Sequence, residues 1–430
     1  MPARDFALEQ LDRKRLPHWP PHLLKKTRGK GCPPADSRDR ALAEQIDIGV
    51  VKNLLLLQRL IAHYSGRSLK SIDPLVQKIL AIGLYQLRFL TRIPASAAVN
   101  EAVEQTRRFG QGRAAAFVNA ILRKATREPN PPLPDRASDP VGYAEIVLSH
   151  PRELFGQLAA ILGEDDAIRF CERDNREPPT IVRLFSGRSE ADLRASGVEV
   201  RPHEQPRLFI VAPRIAVLAQ WAEAGIAQVQ DPTAAAVVPQ LQVEPGQSIL
   251  DRCCGLGTKT LQIRDILGPT GWILAVDPSE ERTRILRGLL ERRQIANVMV
   301  RQVGMLADLH EPDIANGFDR ILVDVPCSNS GVLPRRPEAT YAQTASVLNS
   351  LRKLQDRILD DTAASLQAGG RMIYSTCSIW PEENEGRVAA FLSRRADYRL
   401  LDQKTTLPSL DPEPERYRDG GYLAVLERTG

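Results

Sequence analysis

Apolar residues recur at helical spacing through the first third of the chain. In residues 39–66 the spaced apolar positions are Leu42, Ile46, Val50, Leu54, Leu57 and Ile61. Recurrence every three or four residues places apolar side chains on one face of an α-helix. The same spacing predicts helices at residues 72–90, 94–110 and 113–127. We therefore expect residues 1–128 to form an all-helical bundle.

A proline-rich stretch separates this bundle from the rest of the chain. Residues 129–140 contain five prolines, which stop the helical pattern and indicate a linker. Residues 141–238 then begin with a helix that follows Ser149 and extends to about residue 174, and continue with short strands and a helix. We predict a small α+β segment there, in front of a last domain at residues 239–430.

Strand and helix patterns alternate in the last domain. Apolar, β-branched runs predict strands at residues 248–250, 273–276, 298–303, 320–325, 371–376 and 422–426. Helical spacing between them predicts helices at residues 258–267, 280–293, 341–367 and 383–394. Such alternation is typical of a doubly wound α/β domain with a mostly parallel sheet, whose ligands bind at the carboxyl ends of the strands.

Composition limits the classes of protein and of site that fit this organisation. The 430 residues are 43% hydrophobic, which is enough for more than one core. No apolar run approaches the roughly 18 residues that span a bilayer, and residues 1–10 lack the apolar segment of a signal peptide. We therefore expect a cytoplasmic protein with no membrane partner. The six cysteines include no C-x-x-C pair, which indicates neither a disulfide framework nor a metal site.

Positive charge is concentrated at the N-terminus. The formal net charge is +5, and residues 1–40 alone carry ten basic and five acidic side chains. The densest basic cluster is at residues 25–30. A basic cluster suits a polyanion such as RNA, although a solvated surface segment has the same composition.

The first turn of the last domain has the composition of a nucleotide site. It follows a predicted strand and contains Cys253, Cys254, Gly255, Leu256, Gly257, Thr258 and Lys259. Glycines let the backbone approach a ligand, and the N-terminus of the next helix favours negative charge. Asp277 ends the following strand, where a carboxylate either accepts hydrogen bonds from ribose hydroxyls or caps a helix that begins near Glu280. By itself this pattern fits a dinucleotide or S-adenosylmethionine.

Two cysteines indicate the chemistry of this domain. Asp324 and Cys327 follow one predicted strand and Cys377 follows another, so we expect all three at one edge of the sheet. A thiolate that adds to C6 of a cytosine makes C5 nucleophilic enough to attack a methylsulfonium. Cys327 and Cys377 are the candidate thiols, and Asp324 is placed to donate a proton at the base. An NAD-dependent dehydrogenase would leave both cysteine motifs unexplained.

The chain resembles two known families. Residues 84–87, 91–94, 98–103 and 117–123 are similar to the NusB-type RNA-binding domain. The catalytic motifs of the RsmB family, also called Sun or Fmu, resemble D-V-P-C-S-x-x-G at residues 324–331 and T-C-S-x-x-P-E-E-N at residues 376–384. Members of that family are S-adenosylmethionine-dependent RNA cytosine-5 methyltransferases with a NusB-like domain in front. The resemblance covers nearly the whole chain.

The resemblance implies a role for each motif residue. Cys377 would be the nucleophile that bonds to C6, and Cys327 would assist release of the product. Asp324 would contact cytosine N3. Lys259 matches a lysine that lies between cofactor and target base, and the segment at residues 230–231 resembles one on the substrate side.

The cofactor residues match the family less closely. The family's first turn usually reads C-A-A-P-G-G-K-T, whereas residues 253–260 read C-C-G-L-G-T-K-T. The acidic residue that the family places near the adenine is replaced by Gly304, and Asp308 is the nearest carboxylate. We expect backbone groups and Asp277 to suffice for binding S-adenosylmethionine. The residues expected around the cofactor are those of the turn, Asp277, Gly304 and Asp324.

The resemblance also implies the substrate. The family's usual substrate is small-subunit ribosomal RNA, and we expect this chain to methylate it as a monomer. Transfer RNA is a second candidate substrate for the same chemistry. A different class of function is an RNA-binding or ribosome-assembly factor that retains the fold without the cofactor. Two thiols in intact motifs argue against such a factor, because binding alone does not need a nucleophile.

Overall fold

The computed structural model describes residues 1–14, 16, 19, 33–212, 215–306, 317–410 and 413–430. The basic cluster at residues 25–30 and Asp308 lie outside the described residues. The chain divides into two compact units. One consists of Met1–Glu177 and Leu333–Thr344, and the other of Pro178–Val332 and Ala345–Gly430.

The first unit is built from helices. Their bounds are α1 Ala3–Arg13, α2 Ser37–Lys52, α3 Leu54–Ser65, α4 Pro74–Phe89, α5 Ala95–Arg108, α6 Ala115–Arg127, α7 Pro140–Gly142, α8 Arg152–Leu162 and α9 Glu164–Asn175. The prediction of one helix at residues 39–66 is wrong. Asn53 leaves the helical conformation between α2 and α3, and its side-chain amide donates to the Gly49 carbonyl, 2.9 Å away. None of the described helices, in either unit, combines the length and apolar character needed to cross a membrane.

The core of the first unit lies around α4. Asp73 begins this helix by accepting a hydrogen bond from the Leu75 N–H at 2.8 Å, and Pro74 occupies the first helical position. Most of the helix is buried, including the charged side chain of Lys78. The Lys78 ammonium lies 2.7 Å from the Asp12 carboxylate of α1. Burial lowers the pKa of Lys78, and Asp12 acts in the opposite direction by favouring the charged form.

The second unit begins with a small antiparallel sheet. Its strands are β1 Thr180–Leu184, β2 Val200–Pro202, β3 Leu208–Val211 and β4 Ala227–Val229, in the spatial order β2-β3-β1-β4. Helices within this part are α10 Glu190–Arg194, α11 Ile215–Glu223 and α12 Pro232–Ala235. Residues 180–235 combine these strands and helices. The first part of the segment predicted at residues 141–238 lies instead in the helical unit, where Gly163 separates α8 from α9.

A larger sheet forms the centre of the second unit. Its strands are β5 Ser248–Arg252, β6 Trp272–Asp277, β7 Val298–Gln302, β8 Phe318–Asp324, β9 Leu366–Thr376, β10 Tyr398–Thr406 and β11 Gly421–Arg428. The helices between them are α13 Thr258–Leu267, α14 Glu280–Arg292, α15 Ala345–Ala363 and α16 Glu385–Arg394. Among the described residues the spatial order is β10-β11-β9-β8-β5-β6-β7.

The order of the strands confirms the predicted doubly wound α/β fold. From β5 the chain runs outward through β6 and β7, then returns to the other side of β5 with β8 and β9. These five strands are parallel, while β11 pairs antiparallel with both β9 and β10. The carboxyl ends of β5 and β8 therefore meet at the topological switch point, where α/β folds bind ligands.

In this unit one strand was not predicted and two predicted helices are shorter than expected. β10 was not predicted, because most of its side chains are exposed and polar and it has no apolar alternation. The helix predicted at residues 341–367 is α15, which ends at Ala363 because the chain enters β9 at Leu366. The helix predicted at residues 383–394 begins only at Glu385, after a tight turn that buries Glu383.

We predict that Asp12→Ala destabilises the helical unit by roughly 3 to 5 kcal/mol, because it leaves the buried Lys78 ammonium without its carboxylate. Urea unfolding of the full chain, followed by circular dichroism, measures this change. Glu104→Ala is the control, since Glu104 and Arg107 form an exposed pair whose loss costs less than about 1 kcal/mol. Equal stabilities of the two variants would contradict the prediction.

Candidate active site

Adjacent strands bring the predicted catalytic residues together. β8 and β9 are parallel neighbours, and Asp324 at the end of β8 is paired with Ser375 of β9. Cys327 and Cys377 each follow the end of one of these strands. Their sulfur atoms lie 3.0 Å apart as free thiols. The expectation that Asp324, Cys327 and Cys377 share one edge of the sheet is therefore met.

Asn329 contacts the Cys377 thiol and the Cys327 backbone, and it was not singled out from the sequence. Its side-chain oxygen accepts a hydrogen bond from the Cys377 thiol at 3.2 Å, and its amide nitrogen donates to the Cys327 carbonyl at 3.1 Å. Asn329 has a φ of 61°, in the left-handed region that asparagine tolerates better than most residues. Its position inside the motif at residues 324–331 was the only signal for it.

The two thiols differ in their surroundings. The hydrogen bond with Cys377 and burial raise the pKa of Cys327 well above its usual range, and the Glu383 carboxylate adds to the effect. Cys327 therefore keeps its proton and can donate it in the contact with Cys377. Cys377 lines an open pocket, whereas Cys327 is 8% exposed. Cys377 is the thiol that a substrate can reach.

Lys259 and Asp324 form an ion pair beside the thiols. The Lys259 ammonium donates to Asp324 Oδ2 at 2.6 Å, and the Ser375 hydroxyl donates to Asp324 Oδ1 at 2.6 Å. Burial alone would lower the pKa of Lys259, but the Asp324 carboxylate outweighs burial and raises it. Both oxygens of Asp324 are thus held in place, and the lysine is positively charged.

A pocket of about 220 Å³ contains these groups. Lys259, Asp324 and Cys377 line it, together with Asp231, Thr233, Lys404, Thr406 and Asp419. Asp231 accepts the backbone N–H of Asp419 at 3.1 Å, and the Thr233 hydroxyl donates to the Asp419 carbonyl at 2.7 Å. Asp231, noted in the sequence, therefore lies on the wall of this pocket. Lys404 and Thr406 were missed, because they belong to the unpredicted strand β10.

The backbone of the 324–331 motif packs tightly against the start of β11. The Gly331 N–H donates to the Cys377 carbonyl at 2.9 Å, and the Gly420 N–H donates to the Gly331 carbonyl at 2.8 Å. A Cβ atom at residue 331 would lie 2.6 Å from the backbone of Gly420. Only glycine at residue 331 allows the two segments to approach this closely.

The predicted glycine turn joins β5 to α13. Cys253, Gly255 and Gly257 all have positive φ angles, and the Gly255 N–H donates to Asp277 Oδ2 at 3.0 Å. Ser279 caps α14 by accepting the Arg282 N–H, so the alternative role of Asp277 as that cap is wrong. Asp277 instead connects the end of β6 to the turn.

The remaining residues of the turn have distinct surroundings. Thr258 begins α13, Leu256 is 53% exposed, and Cys254 packs in the core behind the sheet. Burial raises the pKa of both Cys254 and Cys253, in the latter to about 12. These two cysteines are therefore protonated thiols, unlike a catalytic nucleophile.

The turn fits a nucleoside cofactor. A Cβ at Gly255 or at Gly304 would meet nothing within 4 Å, so backbone faces open space on both sides of Asp277. Backbone accessibility of this kind and a carboxylate at the end of β6 are what S-adenosylmethionine needs in a doubly wound fold. Among the described residues no group of acidic, histidine or cysteine side chains could hold a metal ion.

A buried ion pair that was not predicted lies next to Gly304. Arg252, at the end of β5, donates to the Gly304 carbonyl and lies 3.4 Å from the Asp361 carboxylate of α15. Asp361 also accepts the Leu306 N–H at 2.8 Å. A carboxylate from α15 therefore holds the segment after β7 in place. The segment itself has no carboxylate at residue 304, which is a glycine.

Comparison with known proteins identifies the family. A family model described as 16S rRNA methyltransferase RsmB/F matches residues 238–415, and the NusB family model matches residues 2–127. The ribosomal RNA small subunit methyltransferase B of Pseudomonas putida is 33% identical, and the alignment covers 91% of each chain. The chain belongs to the RsmB/F family. The corresponding Vibrio cholerae protein is 32% identical over 91% of this chain and 90% of its own.

Solved structures share the fold of this RsmB/F protein. The crystal structure of PH0851 has a TM-score of 0.77 at 21% identity and covers 100% of this chain and 99% of its own. NSun6 from Pyrococcus horikoshii with SFG, an analogue of S-adenosylmethionine, has a TM-score of 0.52 at 19% identity, over 65% of this chain and 98% of its own. The family and the named bacterial relatives make the chain an S-adenosylmethionine-dependent rRNA methyltransferase.

We predict that Gly331→Ala lowers both the stability and the methyl transfer of this RsmB/F protein. The added Cβ forces the Gly331 and Gly420 backbones apart, and such overpacking costs typically about 1 to 3 kcal/mol. Thermal unfolding and transfer of labelled methyl groups to rRNA measure the two effects. Gly156→Ala in α8 is the control, because its Cβ meets nothing within 4 Å and alanine favours the helix. Unchanged activity of Gly331→Ala would contradict the prediction.

Proposed function

We propose that this protein transfers a methyl group from S-adenosylmethionine to C5 of a cytosine in small-subunit ribosomal RNA, through a covalent bond between Cys377 and C6. The observation that carries the proposal is the set of groups in one pocket. A reachable thiol, Cys377, lies 3.0 Å from a second thiol and shares the pocket with the Lys259–Asp324 pair. A site that only bound RNA would not need this arrangement.

The proposed reaction begins at Cys377. The Cys377 thiol loses its proton and the sulfur bonds to C6 of the cytosine. The C5–C6 electron pair shifts to form a C4–C5 double bond and the C4–N3 pair moves onto N3, which takes up a proton to balance the one lost by the thiol. C5 thereby becomes a nucleophilic enamine carbon. Asp324, held by Lys259 and Ser375, contacts cytosine N3 and supports the change of charge on the ring. Lys259 keeps Asp324 in position and carries a positive charge between the base and the cofactor side. When bound, S-adenosylmethionine supplies an electrophilic methyl group.

Release of the product completes the proposed reaction. The proton on C5 must leave to a base, and the electron pair of that C–H bond restores the double bond as the Cys377 sulfur departs. The Cys327 thiol already faces the Cys377 sulfur at 3.0 Å and keeps its own proton. It can therefore stabilise the departing thiolate with a hydrogen bond. This contact is the basis for the proposed role of Cys327 in release.

The proposed cofactor site uses the backbone more than side chains. The backbone of residues 253–258 lies on one side of Asp277, and Gly304 leaves open space on the other. The Asp277 carboxylate would accept the ribose hydroxyls. Gly304 favours the alternative of an RNA-binding assembly factor, because the carboxylate expected there from the family is absent from the sequence.

The choice of substrate rests on the relatives. The similar bacterial proteins are named as small subunit methyltransferases, and residues 2–127 match the NusB family. We propose that the protein acts on RNA as a monomer in the cytoplasm, with residues 1–128 as its NusB-like domain and residues 239–430 as its catalytic domain. Transfer RNA is the alternative substrate, with the same chemistry at the same pocket.

The first prediction from this proposal concerns the two thiols. Wild-type protein labels cytosine C5 of unmodified small-subunit RNA with methyl groups from radiolabelled S-adenosylmethionine. Cys377→Ala lowers labelling to background, because the sulfur that bonds to C6 is removed. Cys327→Ala accumulates a covalent RNA adduct that survives denaturing electrophoresis, because release is slowed.

Bulk transfer RNA serves as the competing substrate, and Cys171→Ala is the control because Cys171 is a buried thiol in the helical unit. Labelling of transfer RNA alone would replace the proposed substrate but keep the chemistry. Full activity of Cys377→Ala would contradict the covalent mechanism.

A second prediction concerns the cofactor. We expect isothermal titration to detect S-adenosylmethionine binding to the wild type below millimolar concentration. Asp277→Asn weakens this binding by about tenfold or more, because a hydrogen bond to a charged group contributes about 1.5 to 3 kcal/mol. Asp165→Asn is the control, because that carboxylate is 94% exposed in the helical unit. No binding up to millimolar concentration would favour the assembly factor instead.

A further inference from the structure

A buried carboxylate lies beneath the two thiols of the proposed site. The Glu383 side chain has no solvent exposure. It precedes α16 and is not part of the pocket that Cys377 lines. Burying an acidic group costs free energy unless its oxygens accept hydrogen bonds. The donors to the Glu383 carboxylate therefore show which segments of the chain it connects.

The Glu383 carboxylate connects the two residues that follow the thiols. Its Oε1 atom accepts the backbone N–H of Ser328 at 3.0 Å, and its Oε2 atom accepts the Ser378 hydroxyl at 2.6 Å. Ser328 comes directly after Cys327, and Ser378 directly after Cys377. The two serine hydroxyls are themselves 3.2 Å apart. One carboxylate thus fixes the distance between the loops that carry the two sulfur atoms.

Gln355 extends this connection to the other side of Cys327. Its side-chain amide, fully buried on α15, donates to Glu383 Oε1 at 2.9 Å and to the Pro326 carbonyl at 3.1 Å. Pro326 and Ser328 flank Cys327 in the chain. The backbone on both sides of this thiol is therefore tied, directly or through Gln355, to the same carboxylate.

Asn384 gives Cys377 a similar support. The Thr376 hydroxyl donates to the Asn384 side-chain oxygen at 2.6 Å, and the Asn384 amide donates to the Ser378 carbonyl at 3.0 Å. Thr376 and Ser378 flank Cys377. Glu383 and Asn384 together hold the backbone around both thiols, so neither loop can shift without breaking buried hydrogen bonds.

The negative charge of Glu383 also affects Cys327. The groups that donate to it are a backbone N–H, a side-chain amide and a hydroxyl, and none of the ion pairs among the described residues includes it. Its charge opposes ionisation of nearby groups, which is why it adds to the raised pKa of Cys327.

We propose that Glu383 is a positioning residue whose buried carboxylate sets the spacing of the two thiols and places its negative charge against the backbone next to Cys327. The inference rests on the proposed function only for the roles of the thiols in methyl transfer. The spacing and the charge effect are properties of the folded chain alone, and they can be tested without RNA or cofactor.

The spacing is tested with diamide, which removes two electrons and two protons from a pair of thiols, forms a disulfide and is reduced to the hydrazine. Sulfur atoms 3.0 Å apart need little movement to reach the roughly 2.05 Å of a disulfide bond. We expect the wild type to form the Cys327–Cys377 bond rapidly, as mapped by mass spectrometry. Glu383→Ala, which removes the link between the loops, slows it at least tenfold, and exposed Glu382→Gln does not change it.

The charge is tested by alkylation of Cys327 in full-length protein carrying Cys377→Ala. Glu383→Gln retains the shape of the side chain but removes its charge, so the pH midpoint of iodoacetamide labelling at Cys327 falls. Labelling at pH 8 therefore rises severalfold, because a larger fraction of Cys327 is thiolate. Glu382→Gln leaves the midpoint unchanged. A purely structural role for Glu383 predicts no shift in this pH profile.

The two tests separate this inference from the proposed function. Equal diamide rates in wild type and folded Glu383→Ala would overturn the role in spacing, and an unchanged pH profile in Glu383→Gln would overturn the role in charge. Thermal unfolding checks that each variant is folded. If Glu383→Ala does not fold, the charge test can still be made with Glu383→Gln. Absence of methyl transfer by the wild type would overturn the proposed function. The diamide rates and the alkylation pH profiles would still test the role of Glu383, because neither needs RNA or cofactor.

Discussion

The parallel pairing of β8 with β9 is the constraint on which the rest of the site depends. Its register places Asp324 opposite Ser375, so the loops that follow the two strands leave the sheet side by side. A shift of one residue would reverse which face each side chain occupies, and the thiols could no longer meet. The close backbone approach of Gly331 and Gly420, and the hydrogen bonds to Glu383, then hold those loops at the distance that the strands establish.

The parts of the site that follow from strand ends could be predicted from the sequence, and the parts that follow from loop conformation could not. Asp324, Cys327 and Cys377 come directly after apolar runs, so a parallel sheet brings them together. Asn329 contacts the Cys377 thiol and the Cys327 carbonyl from a loop position with a positive φ, which no apolar pattern indicates. Glu383 reads in the sequence as an acidic residue at the start of a helix. It lies instead in a turn before α16, where tertiary hydrogen bonds outweigh helix propensity.

The edge of the sheet near β7 shows how a departure from a family pattern can be accommodated. Residue 252 is an arginine and residue 304 is a glycine, and the Arg252 guanidinium donates a hydrogen bond to the Gly304 carbonyl. The Arg252 charge is buried beside Asp361, which in turn holds the Leu306 N–H. A buried pair of this kind is costly to desolvate and depends on its hydrogen bonds. The backbone at residue 304 is thus positioned by distant residues that no local motif contains.

The division of the chain into its two units has a practical consequence for dissecting the protein. Because Leu333–Thr344 belongs to the helical unit, the chain passes between the units three times. Truncation after residue 177 would remove Tyr341, whose hydroxyl donates to the Val51 carbonyl at 2.7 Å. The complementary fragment would retain a twelve-residue segment severed from the helices it packs with. Expressed alone, the second unit therefore carries Leu333–Thr344 without the helices of its own unit, and the helical unit lacks that segment.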